Sequence, residues 1–235
     1  MPSGLPELPP VFDPILHLRE GQDAMRRAIA LAPEKGAGCL VWVSALERVE
    51  AAVVLEPEQI LLAARPALLC AANALGDALV ALGAPEIPVT IRWPATLLMN
   101  GAEVAALRLA APDAAEENAV PDWLVAGFAL RLAFPPAHEA GRTPDRTALQ
   151  EEGYDDTTAA DVVAAWARHL MANFAEWQGP DGTRRLAEKY LARLEHAPWQ
   201  EGARRGIDPV SGDLVLERDG QRERIPLAAA LELAA

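Results

Sequence analysis

Apolar residues at Leu68, Ala72, Leu75, Leu79 and Leu82 recur at spacings of four and three, which places them along one face of a helix. The pattern predicts a helix within Pro57–Leu82 whose clearest part is 67–82. Upstream, EGQDAMRRAIAL (Glu20–Leu31) predicts a first helix, ended by Pro33 and the Gly36-Ala37-Gly38 turn. The runs CLVWV (Cys39–Val43) and AAVVL (Ala51–Leu55) predict two strands, paired as a hairpin or merely sequential, joined by SALERVE. After Pro88 come VTIRW, LLM and EVAALRL, three further strand signals, with Asn100-Gly101 between the last two. That dipeptide is the strongest short-range mark of a type I′ hairpin. The run from Trp123 to Phe134 carries Arg131 and stops at Pro135-Pro136, short of the roughly 18 apolar residues of a membrane span. It predicts a core strand.

Beyond Pro136 the pattern changes. The acidic stretch with Glu151, Glu152, Asp155 and Asp156 predicts a solvated loop and helix N-terminal charge. Two helices are expected, near 159–177 and 182–194. The final segment, RRGIDPVSGDLVLERDGQRERIPL, alternates strand and turn signals in the manner of a small β-module. With 235 residues, 51% of them hydrophobic, the chain suffices for one sizeable domain with a small module appended. The expected division is 1–200 and 201–235.

Charge narrows the functions. The formal net charge is −13, and no segment concentrates the basic residues that nucleic acid or an anionic membrane requires. Neither is an expected partner. Lys35 and Lys189 are the only lysines among 21 basic residues, which nearly removes catalytic lysine from consideration. The N-terminus reads MPSGLPELPP rather than basic then apolar, so no secretory leader is expected and a cytoplasmic location is. Cys39 and Cys70 lie far apart, without a CxxC pair, and predict buried small hydrophobes rather than a metal site. His17, His138, His169 and His196 are scattered, and Ser3, Ser44 and Ser211 sit in no G-x-S-x-G elbow. Gly36-Ala37-Gly38 lacks the rest of a dinucleotide or P-loop motif and is a turn.

The stretch RWPATLLMNGAEVAALRL, from Arg92 to Leu109, resembles the core signature of biotin protein ligases. That signature runs Lys-Trp-Pro-Asn-Asp, strand, turn, Lys-Leu-Ala-Gly-Ile-Leu. Trp93-Pro94 and the hairpin spacing match. The helix 67–82 before it, GFALR at Gly127–Arg131 and TALQEEG at Thr147–Gly153 follow in the order of the biotin and lipoate protein ligase family, and the tail 206–216 resembles its SH3-like module. The resemblance implies an α+β fold: a ligase-like mixed sheet with helices, followed by a small C-terminal SH3-like β-module. It implies ATP, magnesium and biotin or lipoate as ligands, and an acceptor protein as partner. The implied ligand-binding positions are Arg92, Trp93, Pro94, Thr96, Glu103, Ala106, Gly127 and Arg131.

The departures fall on the chemistry. Acyl-adenylate formation gathers negative charge at phosphate, which preorganised cations and donors must meet. By resemblance, the first lysine position here is Arg92 and the second is Glu103. A carboxylate ~4 Å from a phosphate oxygen opposes binding by about 4 kcal/mol at an effective dielectric near 20. Ala95 and Thr96 stand for Asn-Asp, Ala106 for a glycine, and Arg131 for an asparagine. The family's Gly-Arg-Gly-Arg loop falls where only SALERVE is present. The expectation is a divergent, ligase-like protein that binds a small carboxylic acid or its adenylate, a nucleotide, or a partner protein, without adenylating anything. Two alternatives stand beside it: an active acyl ligase or acyltransferase, and a regulatory protein-interaction module.

Overall fold

The computed structural model describes residues 4–83, 86–139 and 141–229. Its centre is a seven-stranded sheet in the order β1-β2-β3-β7-β6-β5-β4. These strands are β1 (Ile15–Leu18), β2 (Leu40–Ser44), β3 (Arg48–Leu55), β4 (Val89–Arg92), β5 (Thr96–Met99), β6 (Ala102–Ala110) and β7 (Leu124–Arg131). β1 runs parallel to β2, and every other pairing is antiparallel, so the sheet is mixed. The local pattern marks no strand at Ile15–Leu18. Four residues are too few to show a period, and β1 exists by pairing with β2.

β2 and β3 form the hairpin, with Leu40 opposite Val53 and Ser44 opposite Val49. Only Ala45–Glu47 connect them. Asn100 (φ 50°) and Gly101 (φ 83°) join β5 to β6, and Met99 pairs with Ala102. Left-handed backbone at both central positions is what a type I′ turn requires.

Helices cover both sheet faces unequally. α3 (Ala67–Leu82), α4 (Ala159–Gln178) and α5 (Gly182–Arg193) form a layer on one face. There Leu68, Leu75, Leu79, Val163, Trp166 and Leu170 join Val53, Leu107 and Phe128 of the sheet in one buried cluster. The stretch Leu61–Leu82, which includes the short helix α2 (Leu61–Ala64), is apolar enough to cross a membrane by length and composition, yet 78% of its apolar 18-residue window is buried inside the protein. It is a core element.

α1 (Ala24–Lys35) alone covers the other face, packing Met25, Ala28 and Leu31 on Val41, Ala52, Val54 and Val125. It starts and ends later than Glu20–Leu31. Asp23 caps it, accepting the Arg26 N–H at 2.8 Å. Pro33 falls in the final turn and removes the N–H that would bond to Ile29 O, and the helix ends two residues later at Lys35, before Gly36, whose N–H reaches Ala32 O at 3.2 Å. The acidic stretch also differs from a merely solvated loop. A 3₁₀ turn, Leu149–Glu152, places the Glu152 carboxylate on Thr147 Oγ1 at 2.6 Å and on the Asn100 side chain.

β8 (Arg204–Ile207), β9 (Leu214–Arg218) and β10 (Gln221–Ile225) form a separate antiparallel sheet, consistent with the SH3-like module. Arg205 ties it to the end of the α5 segment, donating to Leu194 O and Glu195 O at 3.1 Å each. Residues 1–3 of the expected first domain and 230–235 of the expected module lie outside the described residues.

Candidate functional site

Side chains alternate across a strand, and directly paired residues share a face. Ala52 pairs with Gly127, and Gly127 with Arg108. α1 lies over this row so tightly that a Cβ on Gly127 would meet Met25 Sδ at 3.0 Å and Ala51 O at 2.8 Å. Gly127 is therefore a close-packing position under a helix. One step along, Glu50, Ala129 and Ala106 form the next row, and then Arg48 faces Arg131. These rows pass beyond the start of α1, and a cavity of about 470 Å³ opens there.

The rim of that cavity is charged. Arg48, Arg131, Arg146 and His138 line it together with Glu47 and Glu103. Glu50, 8% exposed and paired with the lining residue Ala129, has Arg48 Nε 3.0 Å from one oxygen, and the Ala24 N–H donates to the other at 3.1 Å. A carboxylate thus satisfies the first turn of α1.

Arg131 spends part of its donor capacity on backbone. Its Nη1 donates to Glu103 O at 3.1 Å and to Thr147 O at 2.8 Å. Glu103 N–H in turn donates to Asp145 O, and Thr147 N–H to Glu103 O, at 2.8 and 2.9 Å. The segment 143–147 is in this way stitched beside β6, which turns it into one wall of the cavity. Burial draws the Arg131 pKa below its ordinary value, the Arg146 charge adds to that, and Glu103 opposes it. The guanidinium lies 5.3 Å over the Phe134 ring, and His138 stacks on Phe134 at 3.9 Å. Thr143 Oγ1, also in the lining, is buried without a hydrogen-bonding partner. A bound polar group has a donor and an acceptor waiting there.

The structure brings together Glu103, Ala106 and Arg131 of the expected positions. Arg92, Trp93, Pro94 and Thr96 are not in its lining. Arg92 Nε donates to Glu195 at 2.8 Å, and Trp93 meets Tyr190 edge to face at 5.9 Å. Tyr190 Oη donates to Pro94 O at 2.6 Å, and Thr96 is paired within β5 opposite Arg92 and Ala106. Tyr190 and Glu195 hold this corner, and the pairing of Ala106 with Thr96 and of Thr96 with Arg92 continues the Ala129–Ala106 row, so Arg92 and Thr96 lie on the cavity's face of the sheet though outside its lining. Arg48, His138, Thr143 and Arg146 were not singled out from sequence. Only the β3–β7 register, which sets Arg48 opposite Arg131, could have found the first of them. Cys39 and Cys70 are buried as expected, and burial raises both thiol pKa values, which opposes nucleophilic use. Among the described residues no group of His, Cys, Asp or Glu is placed to hold a metal ion.

Comparison with known proteins agrees with the fold. Residues 8–192 match the family model described as Biotin/lipoate A/B protein ligase family. The chain is 30% identical over 206 residues to a biotin–[acetyl-CoA-carboxylase] ligase from Paracoccus denitrificans, covering 80% of this chain and 81% of that one. A biotin protein ligase-like protein of unknown function from Silicibacter sp. TM1040 superposes with a TM-score of 0.80 at 29% identity, over 96% of this chain and 98% of that one. A point mutant of the biotin protein ligase of Aquifex aeolicus, in complex with biotin, superposes with a TM-score of 0.69 over 92% and 96% of the two chains. At 14% identity it shares the fold.

Proposed function

Because this chain belongs to the biotin/lipoate A/B protein ligase family, we propose that it binds a small carboxylic acid, free or as its adenylate, beside Arg131 without making the adenylate. The observation that carries this reading is the position of Glu103. By resemblance it stands at the family's second lysine position, and it lines the cavity. The arginines suit one carboxylate or phosphate oxygen pair in bidentate fashion. A triphosphate with magnesium fits poorly, because Glu47 and Glu103 face the same space and Ala45–Glu47 is too short a connection to close over a nucleotide. No chemical step is therefore assigned to ATP or magnesium.

The test is a thermal-shift series with biotin, lipoate, octanoate, ATP and the acyl-adenylates, since a ligand bound to the native state raises its melting temperature. Stabilisation by an acid or acyl-adenylate, lost in Arg131→Gln, is the expected result. Acid-dependent pyrophosphate release from ATP would overturn the reading. That outcome would favour an active ligase with an acceptor protein, to which the Paracoccus denitrificans relative gives specific support.

A further inference from the structure

A second cavity, of about 720 Å³, lies between the end of β3, the start of α3 and the C-terminal half of α4. Its floor is apolar: Val53, Leu124 and Leu170 are each 1% exposed. Phe12, Phe174 and Trp177 form its walls, the last two with ring centroids 6.2 Å apart. The Phe12 wall is built into the fold. The chain before β1 passes so close to Gly38 (φ +87°) that a Cβ there would lie 2.0 Å from Val11 O. Only glycine admits that approach.

The rim has one sign. Glu56 and Glu58 are exposed carboxylates in the lining, and among the described residues that line this cavity there is no lysine, arginine or histidine. The cations nearby in sequence are engaged elsewhere. Lys35 Nζ lies 2.8 Å from Glu34, and Arg168 donates to Glu7 O at 3.4 Å. An apolar floor demands an apolar body, whereas carboxylates and aromatic faces at the mouth attract a cation and repel an acid.

The geometry points to a second small-molecule site that takes an apolar organic ammonium compound, of opposite charge to the acid assigned to the Glu103 cavity. The volume falls within the range of preformed ligand pockets, roughly 300–1,000 Å³. The ligand's hydrocarbon part replaces water over Val53, Leu124 and Leu170, and its ammonium lies at the Glu56–Glu58 rim.

Calorimetric titration with hexyl- and octylammonium chloride, below micelle-forming concentrations, tests this. Saturable one-to-one binding is expected, roughly tenfold tighter for the octyl compound. The double variant Glu56→Gln/Glu58→Gln, confined to exposed side chains, is expected to weaken it roughly fivefold. Phe174→Ala weakens it roughly tenfold, and octanoate binding, if observed, stays unchanged by Phe174→Ala because it belongs to the other cavity. Full affinity in the double variant, equal loss of octanoate and octylammonium binding in Phe174→Ala, or no saturable octylammonium binding overturns the inference. Loss of octanoate binding in Phe174→Ala would also remove the acid from the Glu103 cavity, whereas the other two outcomes leave the reading of that cavity untouched.

Discussion

The two faces of the central sheet treat charge differently. In the layer of α3, α4 and α5, Asp77 meets Lys189 at 2.6 Å, Arg193 at 2.8 Å and Asn173 at 2.9 Å. Lys189 also donates to Asn173 Oδ1 at 3.0 Å, and Arg193 to Asn73 O at 3.2 Å. The carboxylate has its donors and a ligand has nothing to add. Past α1, the same chemical types stand with capacity to spare. Arg131 uses one nitrogen for two carbonyls, and Thr143 Oγ1 has no partner. A buried charge cluster is structural when it closes on itself, and becomes a candidate site when it ends in a cavity. The Asn73 side chain, fully buried without partners, is the exception on the closed face, and nothing in the structure explains it.

Breaking the closed cluster has the largest expected effect. Asp77→Ala leaves Lys189 and Arg193 partly buried without their counter-charge, and is expected to cost about 3 kcal/mol, read by urea denaturation. Its pH dependence has a definite sign. Burial acts to raise the Asp77 pKa, but the hydrogen bonds from Lys189 and Asn173 and the Arg193 charge outweigh it and leave the pKa below its ordinary value. A carboxylate depressed in the folded state contributes stability that is complete above its unfolded pKa, about 3.9, and is lost as pH falls through the folded pKa. Wild type should therefore lose more stability than Asp77→Ala on acidification below about pH 4. Parallel curves for the two proteins would show that the cluster is no stabilising ion network.

Gly127→Val strikes the α1 face at the boundary between covered and open rows. The added side chain must displace Met25 or the Ala51 carbonyl, and overpacking of this kind costs about 1–3 kcal/mol. The change should also loosen α1 and with it the Glu50–Ala24 hydrogen bond, whose carboxylate also meets the lining residue Arg48. Chemical shifts of Glu50 and Arg48 that stay fixed in the variant would separate the cavity from the packing of α1.

Parts of this architecture were readable from local pattern, and parts were not. The α3 period, the Asn100–Gly101 turn and the helices 159–178 and 182–193 are short-range features with strong residue preferences. The start of α1 depends on Asp23 and on Glu50, 26 residues away, which no local window contains. The cavity shows the same division. Glu103, Ala106 and Arg131 were reachable through the family resemblance, whereas Arg48 and Arg146 enter through strand register and a loop crossing. The resemblance also grouped Arg92, Trp93, Pro94 and Thr96 with the site; Arg92 and Thr96 share its row through strand register, while Glu195 and Tyr190 engage Arg92, Trp93 and Pro94.

The smallest expected effect sharpens the open side of the comparison. Glu103→Lys removes a carboxylate from the lining and introduces a cation, so ATP affinity should rise a few-fold, within the roughly 0.2–1 kcal/mol typical of partly exposed pairs. Turnover should not follow. Transition-state stabilisation comes from groups that act together, and restoring one member of a depleted set recovers little of the rate. Ala106 and Arg131 would still occupy the neighbouring positions, and Arg92 would remain bonded to Glu195 at 2.8 Å. Ala45–Glu47 would still be too short to exclude water from a bound nucleotide. The backbone at position 103 is meanwhile fixed by Asp145, Thr147 and Arg131, so the substitution should fold without loss of the wall it belongs to. ATP affinity and acid-dependent pyrophosphate release, measured for wild type and Glu103→Lys at one ionic strength, decide the matter. Turnover in the single variant would mean that Glu103 alone silences an otherwise complete ligase site, and the binding function proposed for this cavity would give way to a catalytic one.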